Sequence, residues 1–390
     1  MADLGARMSR AVDLAQSALT LSNPNPRVGC VITAPDGREI GIGHTQQAGG
    51  PHAEVVALRD AQARGESVVG ATVFVTLEPC SHHGRTPPCC DALIAAQVAK
   101  VVVATGDPNP KVAGRGLDRL RAAGVEVELL PRDHETARAA RDLNIGFFSR
   151  MIRQTPWVRM KMAASLDGVT ALNNGVSQWI TGEAARADGH AWRARACAVL
   201  TGIGTVLEDD PCLDVRLVDT TRQPHLVVID SRLQTPVSAR LFAKPANGIP
   251  RHIWIYHAER DDRKEAALRE AGATLMYLPG AQGKVDLSMM LSDLAQREVN
   301  ELHVEAGHKL NGSLLREGLV DELLLYLAPQ MLGQGAGLSN IGPLQRLEDG
   351  PMLRFASVSN VGQDLRILAR VRDHDGFLHT PLSHQDGQER

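Results

Sequence analysis

The order of its apolar runs constrains this chain most. From Ala11 to Leu129 short strand-like runs alternate with helix-like stretches, and after Pro156 the alternation starts afresh. Val28–Ile32, Thr72–Leu77 and Val101–Thr105 read as strands, with helices over Ala53–Ala63 and Asp91–Gln97 between them. Such a succession predicts βαβ units, a parallel or mixed sheet covered by helices. His134–Arg150 reads as one charged helix closed by Gln154-Thr155-Pro156, because a proline biases its predecessor away from helix. Beyond it Val158, Met160 and Met162 alternate with Arg159 and Lys161, the period of a half-buried strand that turns its basic residues to one face. Further strands are read at Ala198–Leu200, Leu226–Ile229, Ile253–Tyr256, Leu302–Val304 and Glu322–Leu327. The expectation is α/β throughout: a first domain over 1–150, a second over 151–375 and a frayed polar tail over 376–390.

At 390 residues each domain can bury its own core without staples. Lys plus Arg number 42 and Asp plus Glu 45, a net charge of −3, and aromatics are 3%, so neither a phosphate-attracting field nor stacking platforms favour nucleic acid. No apolar run approaches the length of a membrane span. Met8, Val12, Leu14, Ala15, Ala18 and Leu19 give the start of the chain a helical period rather than a leader's basic-then-apolar order, and six cysteines are too few for a disulfide framework. The reading is a cytoplasmic protein. Three of the six cysteines fall within Cys80–Cys90, which points to metal or catalysis.

His52-Ala53-Glu54 opens a helical run, and the strand Thr72–Leu77 feeds Glu78-Pro79-Cys80, with Cys89 and Cys90 at the next helix start. One imidazole and two thiols suit Zn²⁺, and three protein ligands leave a tetrahedral position open for water, the arrangement of a catalytic rather than a structural zinc. His52 and Glu54 are two residues apart, so only a helix start can aim both at one centre. Glu54 then moves protons: it takes one from the attacking water and hands it to a departing amine. The pattern is similar to the H-x-E…P-C-x-x-C of zinc nucleobase deaminases, except that eight residues, Ser81 to Pro88, separate the thiols where two are usual.

The whole string Glu78-Pro79-Cys80-Ser81-His82-His83-Gly84-Arg85-Thr86-Pro87-Pro88-Cys89 resembles the loop of one family, the bifunctional riboflavin-biosynthesis deaminase/reductases. The resemblance extends to Asn23-Pro24-Asn25-Pro26-Arg27-Val28-Gly29, Pro51-His52-Ala53-Glu54, Asp107-Pro108-Asn109-Pro110 and Gly114-Arg115-Gly116. It implies zinc ligands His52, Cys80 and Cys89, with Glu54 as acid/base and Cys90 as a neighbour. The implied substrate is a diaminopyrimidine ribosyl 5′-phosphate. Arg85 and Thr86, with His83, are the candidates for its phosphate, since Arg grips phosphate bidentately. Asn25, His44, Asp107 and Asn109 are candidates for the ring or ribose.

In the second half no metal spacing occurs, and Gly202-Ile203-Gly204 lacks the third glycine of a dinucleotide fingerprint. Gly307-His308-Lys309-Leu310-Asn311-Gly312-Ser313 follows the strand Leu302–Val304 and precedes a helical run, and reads as a Gly-rich turn whose free amides could receive a pyrophosphate. Lys161–Gly168, Ser177–Thr181, Gly204–Pro211 and Val304–Gly307 resemble the reductase half of the same family. That implies an N-terminal cytidine-deaminase-like α/β/α sandwich followed by a dihydrofolate-reductase-like α/β domain, with Zn²⁺ and NADPH as cofactors. By the same resemblance Thr205, Asp209, Ser231 and the Gly307–Ser313 turn bind NADPH beside Trp179. Ser177, Arg193, Leu213, Arg216 and Glu305 hold substrate, the two arginines as phosphate partners. Lys161 touches cofactor and sugar and polarises or protonates the latter, with Glu305 near it. Two other readings are a deaminase of tRNA or single-stranded DNA and a zinc-stabilised module without activity; the acidic balance and low aromatic content oppose the first and a three-ligand site the second. A homo-oligomer, dimer or tetramer, is expected, and Leu323–Leu327 is either an edge strand that pairs across subunits or a central strand of its own sheet.

Overall fold

The computed structural model describes residues 2–82, 87–110, 112–245 and 247–380. They form two compact units: one runs to Arg153 and takes in the chain from Gly376, and the other is Gln154–Asp375. The expected tail at 376 is thus corrected at its start. Gly376–Leu378 forms a 3-10 turn whose Leu378 is buried, and Arg132 donates to the Leu378 carbonyl at 3.0 Å.

The first unit opens with α1 (Ala2–Gln16), β1 (Gly29–Thr33), β2 (Glu39–His44), α2 (Ala53–Ala63) and β3 (Thr72–Val75). It continues with α3 (Cys89–Ala95), β4 (Lys100–Val103), α4 (Arg115–Ala122), β5 (Glu126–Leu129), α5 (Glu135–Leu143) and α6 (Ile145–Arg153). The sheet order is β2-β1-β3-β4-β5, with β1 antiparallel to both neighbours and β3, β4 and β5 parallel. Met8 and Ala11 of α1 and Ala140 of α5 bury Val31, Phe74 and Val102 on one face. Val31 and Phe74 alternate with Cys30 and Val75, which face the other layer. The single helix read over His134–Arg150 is two, because Asn144 leaves the ladder to exchange side-chain hydrogen bonds with the backbone of Arg27, at 2.7 and 2.9 Å.

The second unit runs β6 (Trp157–Ser165), β7 (Val169–Leu172), α7 (Glu183–Arg195), β8 (Ala198–Gly202), α8 (Ile203–Asp209), β9 (His225–Ile229), β10 (Ile253–His257) and α9 (Asp262–Glu270). There follow β11 (Ala273–Tyr277), α10 (Leu287–Gln296), β12 (Glu301–Val304), α11 (His308–Arg316), β13 (Glu322–Ala328), β14 (Gly335–Gly337), β15 (Leu353–Val361) and β16 (Asp364–Val371). Nine strands form one sheet, β11-β10-β9-β8-β12-β6-β13-β16-β15, parallel as far as β13 and antiparallel after it. Its two faces carry separate cores. Leu200, Val227, Leu302 and Val304 pack with Met290, Leu294 and Leu314, while Val199, Leu226, Val228 and Ile255 pack with Leu241 and Leu268.

One expectation about strands is corrected here, and of the two readings of Leu323–Leu327 the central strand is the one observed. Strand β6 lies inside the sheet, so Arg159 faces no solvent; it is 2% exposed and ion-paired to Glu301 and Glu322 at 2.8 and 2.6 Å. Leu323–Leu327 lies in β13, paired on both sides by β6 and β16, so it offers no edge to a second subunit. The outermost strands are β11 and β15.

Candidate active sites

In the first unit the three soft donors converge as the spacing requires. His52 is the extended N-cap of α2, Cys89 is the first residue of α3 and Cys80 follows β3. His52 Nδ1 lies 3.6 Å from Cys80 Sγ and 3.3 Å from Cys89 Sγ, and the three ligand atoms lie within 4.8 Å of one another. The Cys89 amide donates to Cys80 Sγ at 3.3 Å, and the hydrogen bond from the Cys89 thiol holds the Cys80 thiol well below its ordinary range. One nitrogen and two sulfurs at this spacing fit a tetrahedral zinc with one position left over.

Glu54 sits in the first turn of α2, 4% exposed, where burial pushes its carboxyl up to about 7. A carboxyl poised near neutrality suits proton transfer in both directions. Cys90 is not a ligand here: its thiol donates to the carbonyls of Pro79 and Gly116.

Sequence reasoning missed Glu78, the residue that builds the corner around Cys80. Its buried carboxylate accepts the amides of Asp107, Gly114 and Gly116 at 3.2, 3.0 and 2.9 Å. The requirement at Gly116 is close approach, since a Cβ there would lie 2.1 Å from the Pro79 carbonyl. Asp107 is buried in the same corner, where burial raises it to about 8, and it accepts the Asn109 amide at 2.8 Å. Asn25 closes a turn with Ser22, and His44 ends β2 with Nδ1 3.2 Å from the Thr45 carbonyl. His83, Arg85 and Thr86 lie outside the described residues.

In the second unit Lys161 on β6 and Glu305, just past β12, bring Nζ and Oε2 to 4.0 Å. Burial lowers the Lys161 ammonium, as does Arg193, while Glu305 opposes them. Burial alone would raise Glu305, yet the Arg193 guanidinium holds it well below the usual carboxylate range. Arg193 grips both Glu305 oxygens, with Nη2 2.9 Å from Oε2. Its Nη1 also donates to the Asp214 carbonyl at 3.0 Å, which ties it to the Cys212–Arg216 segment. Leu213 buries its side chain in the core beside Val206 and Leu241, so its backbone is the part that faces the segment's open side. Arg216, paired to Asp214 at 2.7 Å and 42% exposed, is the arginine that faces outward.

Helices α8 and α11 start side by side, each on an extended glycine N-cap. Thr205 Oγ1 lies 3.9 Å from where a Gly307 Cβ would stand, and Leu310 Cδ2 3.1 Å from that of Gly202. Asp209 is one turn on from Thr205 along α8 and exposed. The turn expected over Gly307–Ser313 is corrected: only Gly307 lies outside helix. His308, Lys309 and Leu310 supply the first-turn amides, the Asn311 amide bonds to the Gly307 carbonyl at 3.1 Å, and Gly312 packs on the Asn340 backbone. Ser313 Oγ donates to the Lys309 carbonyl. Ser231 follows β9 and its Oγ accepts the Val285 amide at 3.2 Å. Ser177 and Trp179 lie in the segment before α7, where Trp179 is 66% exposed, stacks under Arg186 and borders a cavity of about 570 Å³. Paired helix starts and a hydroxyl beside a glycine are the groups a pyrophosphate needs, so the residues fit a dinucleotide.

A three-donor zinc site beside a buried carboxyl on an α/β/α unit, and paired helix starts that fit a dinucleotide on a dihydrofolate-reductase-like unit, together define a bifunctional pyrimidine deaminase/reductase. Residues 1–105 match the cytidine and deoxycytidylate deaminase zinc-binding region, and residues 156–367 match the RibD C-terminal domain. The riboflavin biosynthesis protein RibD of Escherichia coli is 45% identical over 92% of this chain and 96% of its own length, and that of Aquifex aeolicus is 38% identical over 92% and 96%. The solved Acinetobacter baumannii RibD superposes with a TM-score of 0.83 at 38% identity, covering 95% of this chain and 99% of that one. A Thermotoga maritima structure described as a diaminohydroxyphosphoribosylaminopyrimidine deaminase/5-amino-6-(5-phosphoribosylamino)uracil reductase gives 0.81 at 30% identity, with coverage of 95% and 99%. The chain belongs to the RibD family: it is a riboflavin-biosynthesis enzyme with a zinc-dependent deaminase and an NADPH-dependent reductase.

Proposed function

We propose that the first unit deaminates a diaminopyrimidine ribosyl 5′-phosphate and that the second reduces the ribosyl group of the resulting aminouracil to ribityl. The observation that carries this reading is the convergence of His52, Cys80 and Cys89 on one point beside a buried Glu54. Held there, Zn²⁺ supplies the Lewis acidity that makes water a nucleophile at neutral pH. Glu54 Oε accepts the proton of the attacking water and returns it to the departing amine. NADPH supplies the hydride, to the sugar's C1′. Lys161 Nζ protonates the opening sugar oxygen, and Glu305 orients it from 4.0 Å. Thr205, Asp209, Ser231, Trp179 and the amides of His308 to Leu310 are the NADPH contacts, with Ser177, Arg193, Leu213, Glu305 and Arg216 on the substrate. For the deaminase substrate, Asn25, Asn109, Arg85 and Thr86 keep the roles the family resemblance gives them.

The test is product mass. Purified protein given the diaminopyrimidine ribosyl phosphate should yield the deaminated product without NADPH and the ribityl product with it. Lys161→Ala should slow the second step by about 10²-fold or more and spare the first. Unchanged substrate would refute the deaminase assignment, and full reduction by Lys161→Ala would refute the role of Lys161.

Among the described residues no helix is long and apolar enough to cross a membrane. All six cysteines are free thiols, which supports a reducing compartment and the reading of a cytoplasmic enzyme. We place the homo-oligomer contact on β15, an outermost strand with Phe355 68% and Val358 54% exposed. Sedimentation should give a dimer or tetramer, and Phe355→Glu should shift it towards monomer; a wild-type monomer would refute this.

A further inference from the structure

Cys212–Arg216 belongs to no helix or strand, yet side chains hold its backbone at every residue. Arg251 donates to the carbonyls of Cys212 and Leu213, the latter at 2.6 Å, and Arg193 donates to that of Asp214 at 3.0 Å. Gln223 accepts the Val215 amide and donates to its carbonyl, both at 2.8 Å. The last clamp is His190, whose Nδ1 accepts the Arg216 amide at 3.2 Å. Loops held this way are built to present something. What this one presents is the Arg216 guanidinium, anchored on one side by Asp214 Oδ1.

His190 is the one clamp that touches both Arg193 and Arg216. It lies one turn before Arg193 on α7, is 5% exposed, and has Nε2 3.4 Å from Arg193 Nη1. Burial, then Arg193 and Arg216, lower its imidazole to about 4. It is therefore neutral at physiological pH and accepts at one ring nitrogen only: the nearer donor, the Arg216 amide, takes the Nδ1 lone pair, and the 3.4 Å approach of Nε2 to the Arg193 donor is a contact, not a second hydrogen bond.

We propose that His190 is a positioning residue of the reductase site, which fixes the Arg216 backbone so that its guanidinium meets the phosphate of the substrate. The inference rests on the reading of Arg216 as the phosphate partner. A loop free to move would pay the ordering cost when it binds, and that cost appears in KM for the phosphorylated substrate.

The test is steady-state reduction by the full-length enzyme, with the phosphorylated aminouracil and its dephosphorylated counterpart as substrates. His190→Leu removes the acceptor, and His190→Asn places an amide oxygen near the position of Nδ1. His190→Gln stays polar but sets its oxygen near Nε2 instead. His190→Leu and His190→Gln should raise KM for the phosphorylated substrate about tenfold, one hydrogen bond's worth. The dephosphorylated substrate, KM for NADPH and deamination by the same preparation should not change, and His190→Asn should restore most of the loss. An equal loss on both substrates, or no rescue by Asn, overturns the inference. Arg216→Ala separates the two layers. If it treats the two substrates alike, the phosphate reading falls and this inference with it; if it discriminates while His190→Leu does not, only the role of His190 falls.

Discussion

Glu54→Gln should cut deamination by about 10²–10⁴-fold, the range for loss of a positioned proton carrier, while the same protein keeps its zinc and still reduces the deaminated intermediate with NADPH. The variant isolates chemistry from architecture. Gln has the size and shape of Glu but cannot hold a proton between the attacking water and the leaving amine. The ligands His52, Cys80 and Cys89 are untouched, so metal content should stay at wild-type level. Folding should not suffer either: burial raises the Glu54 carboxyl towards 7, which means that the pocket disfavours its charge and accepts a neutral isostere. Product mass, metal analysis and NADPH consumption on one preparation check all three statements. Deamination near the wild-type rate would remove Glu54 from the mechanism, and a zinc-free variant would make it a structural residue.

The deaminase centre was legible in the sequence because its ligands sit at the ends of elements whose starts have local signals. His52 and Cys89 each stand at a helix start, and Ala53–Ala63 coincides with the helix observed. The same locality made β6 misleading. Period-2 alternation says that Arg159 and Lys161 share a face, but not that a helix and neighbouring strands bury that face. The partner strand carried an unread signal: Glu301, His303 and Glu305 alternate with Leu302 and Val304, three polar residues on the face that meets Arg159 and Lys161. Burial depends on strand order, which places β12 against β6 although nearly 150 residues separate them in sequence. The Gly307–Ser313 segment failed for a related reason. Gly312 reads as a flexible turn residue, whereas its cause is a distant one, the Asn340 backbone lying where a side chain would be. The clamps on Cys212–Arg216 had no sequence signal, since His190, Gln223 and Arg251 come from separate elements.

Arg159→Met should destabilise the reductase unit by about 3 kcal/mol, the lower end of the cost of breaking a buried ion pair. Arg159 Nη1 holds Glu301 and its Nε holds Glu322, both carboxylates being at most 1% exposed. Its guanidinium also lies 4.5 Å from the centre of the Trp192 ring. Methionine fills the space and keeps the packing on Trp192 but supplies no donor. The loss falls short of the full penalty because each carboxylate keeps a second cation, Arg195 on Glu301 at 2.8 Å and Arg370 on Glu322 at 3.3 Å. In a unit of this size about 3 kcal/mol corresponds to a fall of roughly 6–12 °C in the melting midpoint. Calorimetry should place that fall in the reductase transition alone, with deamination intact at room temperature. Adding Glu301→Gln and Glu322→Gln should recover part of it, because the cost arises from buried charge left short of partners and not from lost volume. If Arg159→Met melted like the wild type, the network would contribute no stability. Its place between β12 and β13 would then need another cause, such as fixing the register of those strands against β6, on which the 4.0 Å approach of Lys161 to Glu305 depends.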